Sequence, residues 1–266
     1  MTMPFILDRD RMVTPAEQFA PSRAAEPTPS TAGLGWCLRI GDTLPDFEAD
    51  TTHGRLRYRD WAAGHWTVFF SHPAAFTGVC TSEVLSLADA EGDLEERGIK
   101  VMSISTSALD EQRAWCADIA ASFGIDVPFP MAADPSGGLS EILGMLDGTG
   151  LSQAPVRKTY IVDPDMQVRM IMEYPQAVGR STAEILRAVD ALQAHDRIGA
   201  ATPADWCPGD DYMLTTRLTQ RLDAQETLRF VRPVTSYLSL VSKRIDPRHA
   251  GRPALYSVTA TEEDTP

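Results

Sequence analysis

The sequence predicts an α/β domain in which a mixed central sheet is flanked by helices and followed by a small C-terminal appendage. From about residue 37, short β-branched or aromatic runs alternate with longer helical patterns, and further along two strand-like runs meet at a short turn. Alternating strands and helices are typical of parallel neighbours, whereas a tight turn joins antiparallel strands. The two patterns together predict a mixed sheet.

Composition and charge narrow the class of protein. The chain has 266 residues, of which 43% are hydrophobic, which suffices for one large domain with an appendage. Its formal net charge of -13 would repel a phosphate backbone, so we expect no nucleic-acid partner. No run approaches the roughly 18 apolar residues of a membrane span, and the first residues lack a secretory pattern. We therefore expect a cytoplasmic protein with no membrane partner.

Three regions follow from changes in composition along the chain. Residues 13–34 are rich in Pro, Ala, Ser and Thr without an apolar period, which is typical of a flexible segment. We predict a flexible N-terminal extension over 1–36, a compact domain over 37–200, and a C-terminal region over 201–266 that ends in a disordered acidic tip.

The first half of the compact domain reads as a βαβ unit. The runs TVFF (67–70) and VMSIST (101–106) predict strands, and the pattern over 84–97 predicts the helix between them. A second helix is predicted over 109–123, with one apolar face that includes Leu109, Cys116, Ile119, Ala120 and Phe123.

The second half predicts a helix, a hairpin and another helix. Asp134 before Pro135 suggests an N-cap followed by a first-turn proline, with a helix through Leu143. The runs KTYIVD and QVRMIMEY predict adjacent antiparallel strands around a PDM turn. Ser181 would cap a helix over 181–195.

The four cysteines are scattered, without a CxxC pair, so the sequence suggests neither a disulfide scaffold nor a zinc cluster. The histidines at 53, 65 and 72 have no metal-ligand spacing, and we predict no metal site. Cys116 would pack in the core, and Cys37 lies at the edge of the flexible segment.

Cys80 stands apart from the other cysteines because a helix begins just before it. If Thr77 is the N-cap, Cys80 lies in the first turn, where unpaired backbone N–H groups and the positive end of the helix dipole converge. Such a position lowers a thiol pKa from about 8.5 and makes the sulfur nucleophilic. The alternative at this point is a cysteine that packs as a small hydrophobe.

Residue identities favour the reactive cysteine. Pro73, Thr77 and Cys80 stand in the spacing PxxxTxxC, which resembles the signature of the peroxiredoxins. The blocks SHP, AADPSGGLSEILGML, VRKTYIVDPD, VGRSTAEILR and ATPADW agree in order, so the resemblance covers about residues 38–212. The form of the signature resembles the one-cysteine, peroxiredoxin 6-like class. That resemblance implies a thioredoxin-like fold with a C-terminal dimerisation region.

The resemblance also implies the activity and the site. Cys80 would be the peroxidatic cysteine of a thiol peroxidase that reduces hydrogen peroxide and organic hydroperoxides, with no metal or bound cofactor. Thr77 would supply a hydroxyl, Arg157 a permanent cation, and Pro73 a shield against water. The supporting residues would be Glu83 and Arg180, which orient Arg157, and His72, which positions substrate.

Two segments depart from relatives of the class. Gly78 follows Thr77 where many members have proline, which would make the loop more mobile. One branch has been linked to a phospholipase activity that rests on a serine and a histidine; here Arg59 and His65 stand in that segment, so we expect no such activity.

Two routes from the Cys80 sulfenic acid back to the thiol are compatible with the sequence. A second cysteine could condense with the sulfenic acid, and Cys207 is the best candidate, ahead of Cys37. The default is a one-cysteine cycle with an external thiol reductant, such as thioredoxin or glutathione, in a homodimer or larger homo-oligomer. Two alternatives are a cysteine-dependent hydrolase using Cys80 with His72, and a non-enzymatic oligomeric redox sensor.

Overall fold

The computed structural model describes residues 38–146 and 154–248. The N-terminal extension, Cys37 and the acidic tip lie outside the described residues, and the division into three regions stays a prediction. Within the described residues the chain forms a seven-stranded mixed sheet and a separate three-stranded sheet. No helix in this part of the chain is long and apolar enough to cross a membrane.

The large sheet has the strand order β2-β1-β5-β4-β3-β6-β7. Its strands are β1 (Glu48–Thr51), β2 (Gly54–Arg57), β3 (Trp66–Ser71), β4 (Ile99–Ser105), β5 (Met131–Ala133), β6 (Arg157–Val162) and β7 (Val168–Tyr174). The helices of this domain are α1 (Tyr58–Ala62), α2 (Gly78–Asp89), α3 (Glu91–Glu96), α4 (Leu109–Phe123), α5 (Gly138–Ile142) and α6 (Thr182–Ile198).

The mixed sheet follows from the connections between its strands. Strands β3, β4 and β5 are parallel, because a helical crossover joins each to the next. Strand β6 lies antiparallel to β3, and β7 returns antiparallel to β6 across a tight turn. The α/β fold class is therefore confirmed, as is the hairpin. Strand β3 lies at the centre, between β4 and β6.

The core is divided between the two faces of this sheet. Because successive side chains of a strand point to opposite faces, Phe70 packs in one cluster with Trp115, whereas Phe69 packs in the other with Tyr160. All six residues of β3 are buried. Burying a side chain of this size stabilises the fold by about 1.5–3 kcal/mol, so β3 is held firmly from both sides.

The C-terminal residues form a smaller layer with its own core. It contains β8 (Tyr212–Met213), α7 (Thr216–Thr219), α8 (Ala224–Phe230), β9 (Val231–Pro233), β10 (Ser239–Val241) and a 3-10 turn (Lys243–Ile245). Trp206 and Tyr212 pack there against the end of α6 at Ile198. The buried carboxylate of Asp246 accepts hydrogen bonds from the Tyr212 hydroxyl at 3.0 Å and from Arg197.

Three details differ from the sequence prediction. The helix expected to start after Asp134 begins at Gly138, because the Asp134 carboxylate instead accepts the N–H of Ser140 at 2.7 Å across a turn. The segment 84–97 contains parts of two helices, which meet at Ala90. Phe123, placed on the buried face of α4, is 51% exposed, since that face centres on Gln112, Trp115 and Ile119.

Candidate active site

Cys80 is the third residue of α2 and is fully buried, with 0% of its surface exposed. Thr77 is the N-cap residue, with extended backbone angles, as the sequence predicted. Its hydroxyl, however, makes no capping bond and donates instead to the carbonyl of Ala74 at 3.0 Å. The unpaired N–H groups of the first turn therefore remain available beside Cys80.

Arg157, the first residue of β6, brings a cation to this helix end. Its Nη1 lies 3.4 Å from Cys80 Sγ and 2.7 Å from Glu83 Oε2. Its Nε donates to the backbone carbonyl of Gln176 at 2.8 Å, which fixes the plane of the guanidinium. The side chain is 3% exposed, so this charge acts in a nearly water-free environment.

Glu83 joins Arg157 to a second buried arginine, Arg180. The Glu83 carboxylate accepts from Arg180 Nε at 3.0 Å, from its Nη2 at 2.8 Å and from its backbone N–H at 2.9 Å. The Arg180 guanidinium also lies 4.6 Å above the centre of the Phe70 ring. Within this cluster two cations share one carboxylate, so a net positive charge lies beside Cys80.

His72 is buried in an apolar part of the same region. Its ring centre lies 5.3 Å from that of Trp115, and neither ring nitrogen makes a hydrogen bond of good geometry within the described residues. Burial, together with the charges of Arg180 and Arg157, outweighs a contribution from the Ala74 backbone and lowers the pKa of His72 to about 3. His72 is therefore neutral at physiological pH and a weak base.

The other predicted site residues lie at the edge of this centre or away from it. Pro73 is half-buried, whereas Thr77 and Gly78 are exposed. Cys116 packs half-buried against the core, with its Sγ 3.7 Å from Met131 Sδ, and burial raises its pKa. Cys207 lies in a loop beyond α6, and burial and the nearby Asp210 carboxylate raise its pKa.

The structure thus brings together Cys80, Glu83, Arg157 and Arg180, whereas no hydrogen bond or ion pair between described residues joins them to His72 or Cys207. Sequence reasoning missed the carbonyl of Gln176, since a backbone contact leaves no signal in residue type. It also missed the contact of the Phe70 ring with Arg180, because the sequence identified Phe70 only as a strand residue. No group of three His, Cys, Asp or Glu side chains able to hold a metal ion occurs in the described part of the chain.

Comparison with known proteins gives a consistent result. Residues 40–171 match the AhpC/TSA family model, and residues 191–224 match the model of the C-terminal domain of 1-Cys peroxiredoxin. The 1-Cys peroxiredoxin B of Oryza sativa subsp. indica is 39% identical over 178 residues, which cover 65% of this chain and 81% of the rice protein.

Two solved structures share the fold over most of the chain. A cysteine-to-serine mutant of the peroxiredoxin 6 of Arenicola marina has a TM-score of 0.69 and 34% identity, covering 77% of this chain and 98% of the other. The yeast mitochondrial 1-Cys peroxiredoxin, described as resolving its thiol via the glutathione/thioredoxin systems, has a TM-score of 0.69 and 32% identity, covering 77% of this chain and 99% of the other. The cytoplasmic location expected for this chain stays a prediction. The thioredoxin-like fold is confirmed, and the chain belongs to the peroxiredoxin family.

Proposed function

We propose that this chain is a thiol peroxidase that reduces hydrogen peroxide and organic hydroperoxides through Cys80. The observation that carries the proposal is the contact between Arg157 Nη1 and Cys80 Sγ at 3.4 Å, made in the first turn of α2. A nucleophilic sulfur needs a nearby cation and helix amides to stay ionised, and both are present here. Family membership supports the same chemistry.

In the proposed reaction the Cys80 thiolate attacks one oxygen of the peroxide. The S–O bond forms as the O–O bond breaks, so the sulfur is oxidised to sulfenic acid while the peroxide is reduced to water or an alcohol. Negative charge leaves the sulfur and develops on the departing oxygen, which takes up a proton. Donors already fixed in place stabilise that charge without reorganising.

Each site residue has a proposed part in this step. The Arg157 guanidinium would bind the peroxide oxygens beside the sulfur, and the first-turn N–H groups and the Thr77 hydroxyl would complete the donor set. Pro73 would limit access of water. Glu83 and Arg180 act through Arg157: their buried ion pairs hold its guanidinium against the helix. His72, neutral and without a partner among the described groups, would position the substrate.

We propose that an external thiol regenerates Cys80. One thiol condenses with the sulfenic acid to give a mixed disulfide and water, and a second thiol then releases Cys80 as a disulfide product is formed. The raised pKa of Cys207 speaks against that residue as the resolving thiol, because little of it is ionised at neutral pH. Glutathione or thioredoxin is the proposed reductant, by analogy with the yeast relative.

A homodimer formed through β7 is also proposed. Strand β7 lies at one edge of the large sheet, and from 169 to 174 its outer side pairs with no other strand in the described residues. The strand at the opposite edge, β2, has only four residues, which limits its pairing with another chain, whereas β7 has seven. The longer edge strand would pair with the same strand of a second copy.

Stopped-flow mixing with hydrogen peroxide tests the activity. We expect wild-type protein to consume one equivalent of peroxide before any reductant is added and to turn over when glutathione or thioredoxin with its reductase is present. Cys80→Ser should abolish both, whereas the matched variant Cys116→Ser should retain both. A hydrolase would not react with peroxide, and a redox sensor would react once without turning over; either result would contradict the proposal.

Light scattering after gel filtration tests the dimer. The wild-type chain should elute at twice the monomer mass, and Tyr174→Lys, at the end of β7, should shift it toward the monomer. Arg55→Gln, on the opposite edge, should leave the mass unchanged. A wild-type monomer at all concentrations would exclude the β7 pairing.

A further inference from the structure

Ser71 is the last residue of β3, and its hydroxyl is placed against the backbone that carries Arg157. The side chain is fully buried. Its Oγ donates to the carbonyl of Val156 at 2.6 Å and accepts the N–H of Lys158 at 3.2 Å. A hydroxyl has one hydrogen to donate and lone pairs that accept, so a single Ser71 side chain serves both groups.

These two backbone groups belong to the peptide units on either side of the Arg157 Cα. The Lys158 N–H also lies 3.0 Å from the Val156 carbonyl, which closes a three-residue turn centred on Arg157. The Ser71 hydroxyl therefore bonds both peptide groups of this turn.

Two neighbouring cations extend from this backbone to opposite sides of β6. Arg157 reaches Cys80, whereas the next residue, Lys158, directs its Nζ to the carbonyl of Gly144 at 2.7 Å and to Glu173 at 3.1 Å. An arginine side chain is long, so a small rotation of the peptide units at its Cα displaces the guanidinium considerably. A displacement of about 1 Å in a reacting site can reduce the rate on the order of 100-fold.

We propose that Ser71 is a positioning residue of the peroxidase, which aims the guanidinium of Arg157 at the sulfur by fixing the turn around it. The inference rests on the proposed function, since Arg157 is the group through which Ser71 acts. Ser71 itself would not touch substrate, because its hydroxyl is occupied by the backbone on either side of Arg157.

A double-mutant cycle tests whether Ser71 acts through Arg157. The four proteins are wild type, Ser71→Ala, Arg157→Gln and the double variant, and the readout is the second-order rate constant of Cys80 with hydrogen peroxide. Ser71→Ala should lower this constant about tenfold, the effect of losing one well-placed hydrogen bond. In the Arg157→Gln background the same change should have an effect of less than about twofold. Equal effects in both backgrounds would overturn the proposal.

The matched control is Ser103→Ala on the neighbouring strand β4. Ser103 is equally buried, but its hydroxyl has no hydrogen-bond partner in the described residues, so its loss should leave the peroxide rate unchanged. A Ser103→Ala loss equal to that of Ser71→Ala would assign the effect to general packing and overturn the proposal. Ser71→Thr, which keeps the hydroxyl, should recover most of the rate.

Two further measurements distinguish failure of the proposed function from failure of the role of Ser71. If wild-type protein does not react with peroxide, the proposed function fails; if it reacts and Ser71→Ala reacts equally fast, only the role of Ser71 fails. Should Ser71→Ala not fold, hydrogen exchange of the wild-type Lys158 amide decides. Strong protection of that amide supports the turn, and fast exchange contradicts it.

Discussion

Arg157 Nη1 lies 3.4 Å from Cys80 Sγ although the two residues are 77 positions apart in the chain. Both side chains are buried, so water screens the interaction only weakly. The pairing of β3 with β6 makes the contact, because Cys80 follows β3 and Arg157 opens β6. Sulfur and cation are therefore positioned by the most deeply buried part of the sheet.

Replacing the Arg157 cation should lower the rate constant for the reaction with hydrogen peroxide. Arg157→Gln removes the charge and leaves an amide donor two bonds short of the guanidinium Nη atoms, so we expect the rate constant with hydrogen peroxide to fall about 100-fold, as for loss of a fixed transition-state donor. Arg55→Gln, at an exposed arginine on the sheet edge, is the control and should react like wild type. Stopped-flow tryptophan fluorescence measures both. An unchanged rate in Arg157→Gln would remove Arg157 from the mechanism.

Glu83 should contribute to stability as well as to activity. Glu83→Gln leaves two buried guanidinium groups without their shared carboxylate, and we expect the free energy of unfolding to fall by about 3–5 kcal/mol. Glu184→Gln, at a partly exposed ion pair with Arg187, should cost less than about 1 kcal/mol. Urea denaturation followed by circular dichroism distinguishes them. Equal losses would show that the Glu83 network is not a special source of stability.

His72 should make the fold sensitive to acid. Its pKa of about 3 in the folded chain lies below the 6.5 of an ordinary histidine, so the unfolded chain binds the proton more tightly. The stabilisation is complete above pH 6.5 and is lost as the pH falls toward 3, by at most about 1.4 kcal/mol per pH unit from this group.

Denaturation at a series of pH values checks this dependence. His72→Phe, which fills the site beside Trp115 with a ring that does not titrate, should show a shallower loss of stability between pH 6 and pH 4. His53→Asn, at an exposed histidine, should keep the wild-type slope, because His72 is still present. Identical slopes in wild type and His72→Phe would contradict the assignment.

Cys207 should behave as a poor nucleophile. Burial and the Asp210 carboxylate raise its pKa, so alkylation by iodoacetamide should be slow at neutral pH and increase only above the usual thiol range. After one equivalent of peroxide we expect no disulfide between Cys80 and Cys207 by mass spectrometry. Cys207→Ser should turn over with an external thiol as fast as wild type. A Cys80–Cys207 disulfide would replace the one-cysteine cycle with an internal one.

Gly78 should accept proline. A Cβ at this position would meet no atom within 4 Å, and Thr77 before it already has the extended backbone that a following proline requires. Gly78→Pro should therefore raise the free energy of unfolding by about 0.4–1 kcal/mol, through a more restricted unfolded chain. Thermal melting measures this, with Gly92→Ala on the exposed side of α3 as the control for a glycine within a helix. A lower melting temperature for Gly78→Pro would show that the loop needs the glycine.

Elements with strong local signals could be predicted from the sequence. Helix α4 has the predicted bounds of 109–123, because its apolar spacing is regular and Gly124, in a left-handed conformation, ends it. The Ser181 cap of α6 is also confirmed, with its hydroxyl accepting the N–H of Glu184. The start of α5 was wrong, because the Asp134 side chain reaches a distant N–H, and spacing alone does not distinguish that bond from a cap.

The candidate site was less accessible to sequence reasoning. Helix position alone singled out Cys80, but the proximity of Arg157 and Arg180 entered only through the family resemblance. Charge pairs between residues far apart in the chain depend on strand order, which no local pattern contains. The contacts of Ser71 and Gln176 involve backbone atoms, so they required the structure itself. The catalytic roles of all these residues stay predictions.

The antiparallel pairing of β3 with β6 has a consequence for how the protein is made. The register joins Thr67 to Val162, so this central pair closes a very long loop and belongs to the slow, non-local steps of folding. When β3 and α2 have left the ribosome, β6 and its Arg157 have not yet emerged. The sulfur predicted to react is thus synthesised before its predicted cationic partner, and we expect peroxide chemistry to begin only when the sheet is complete.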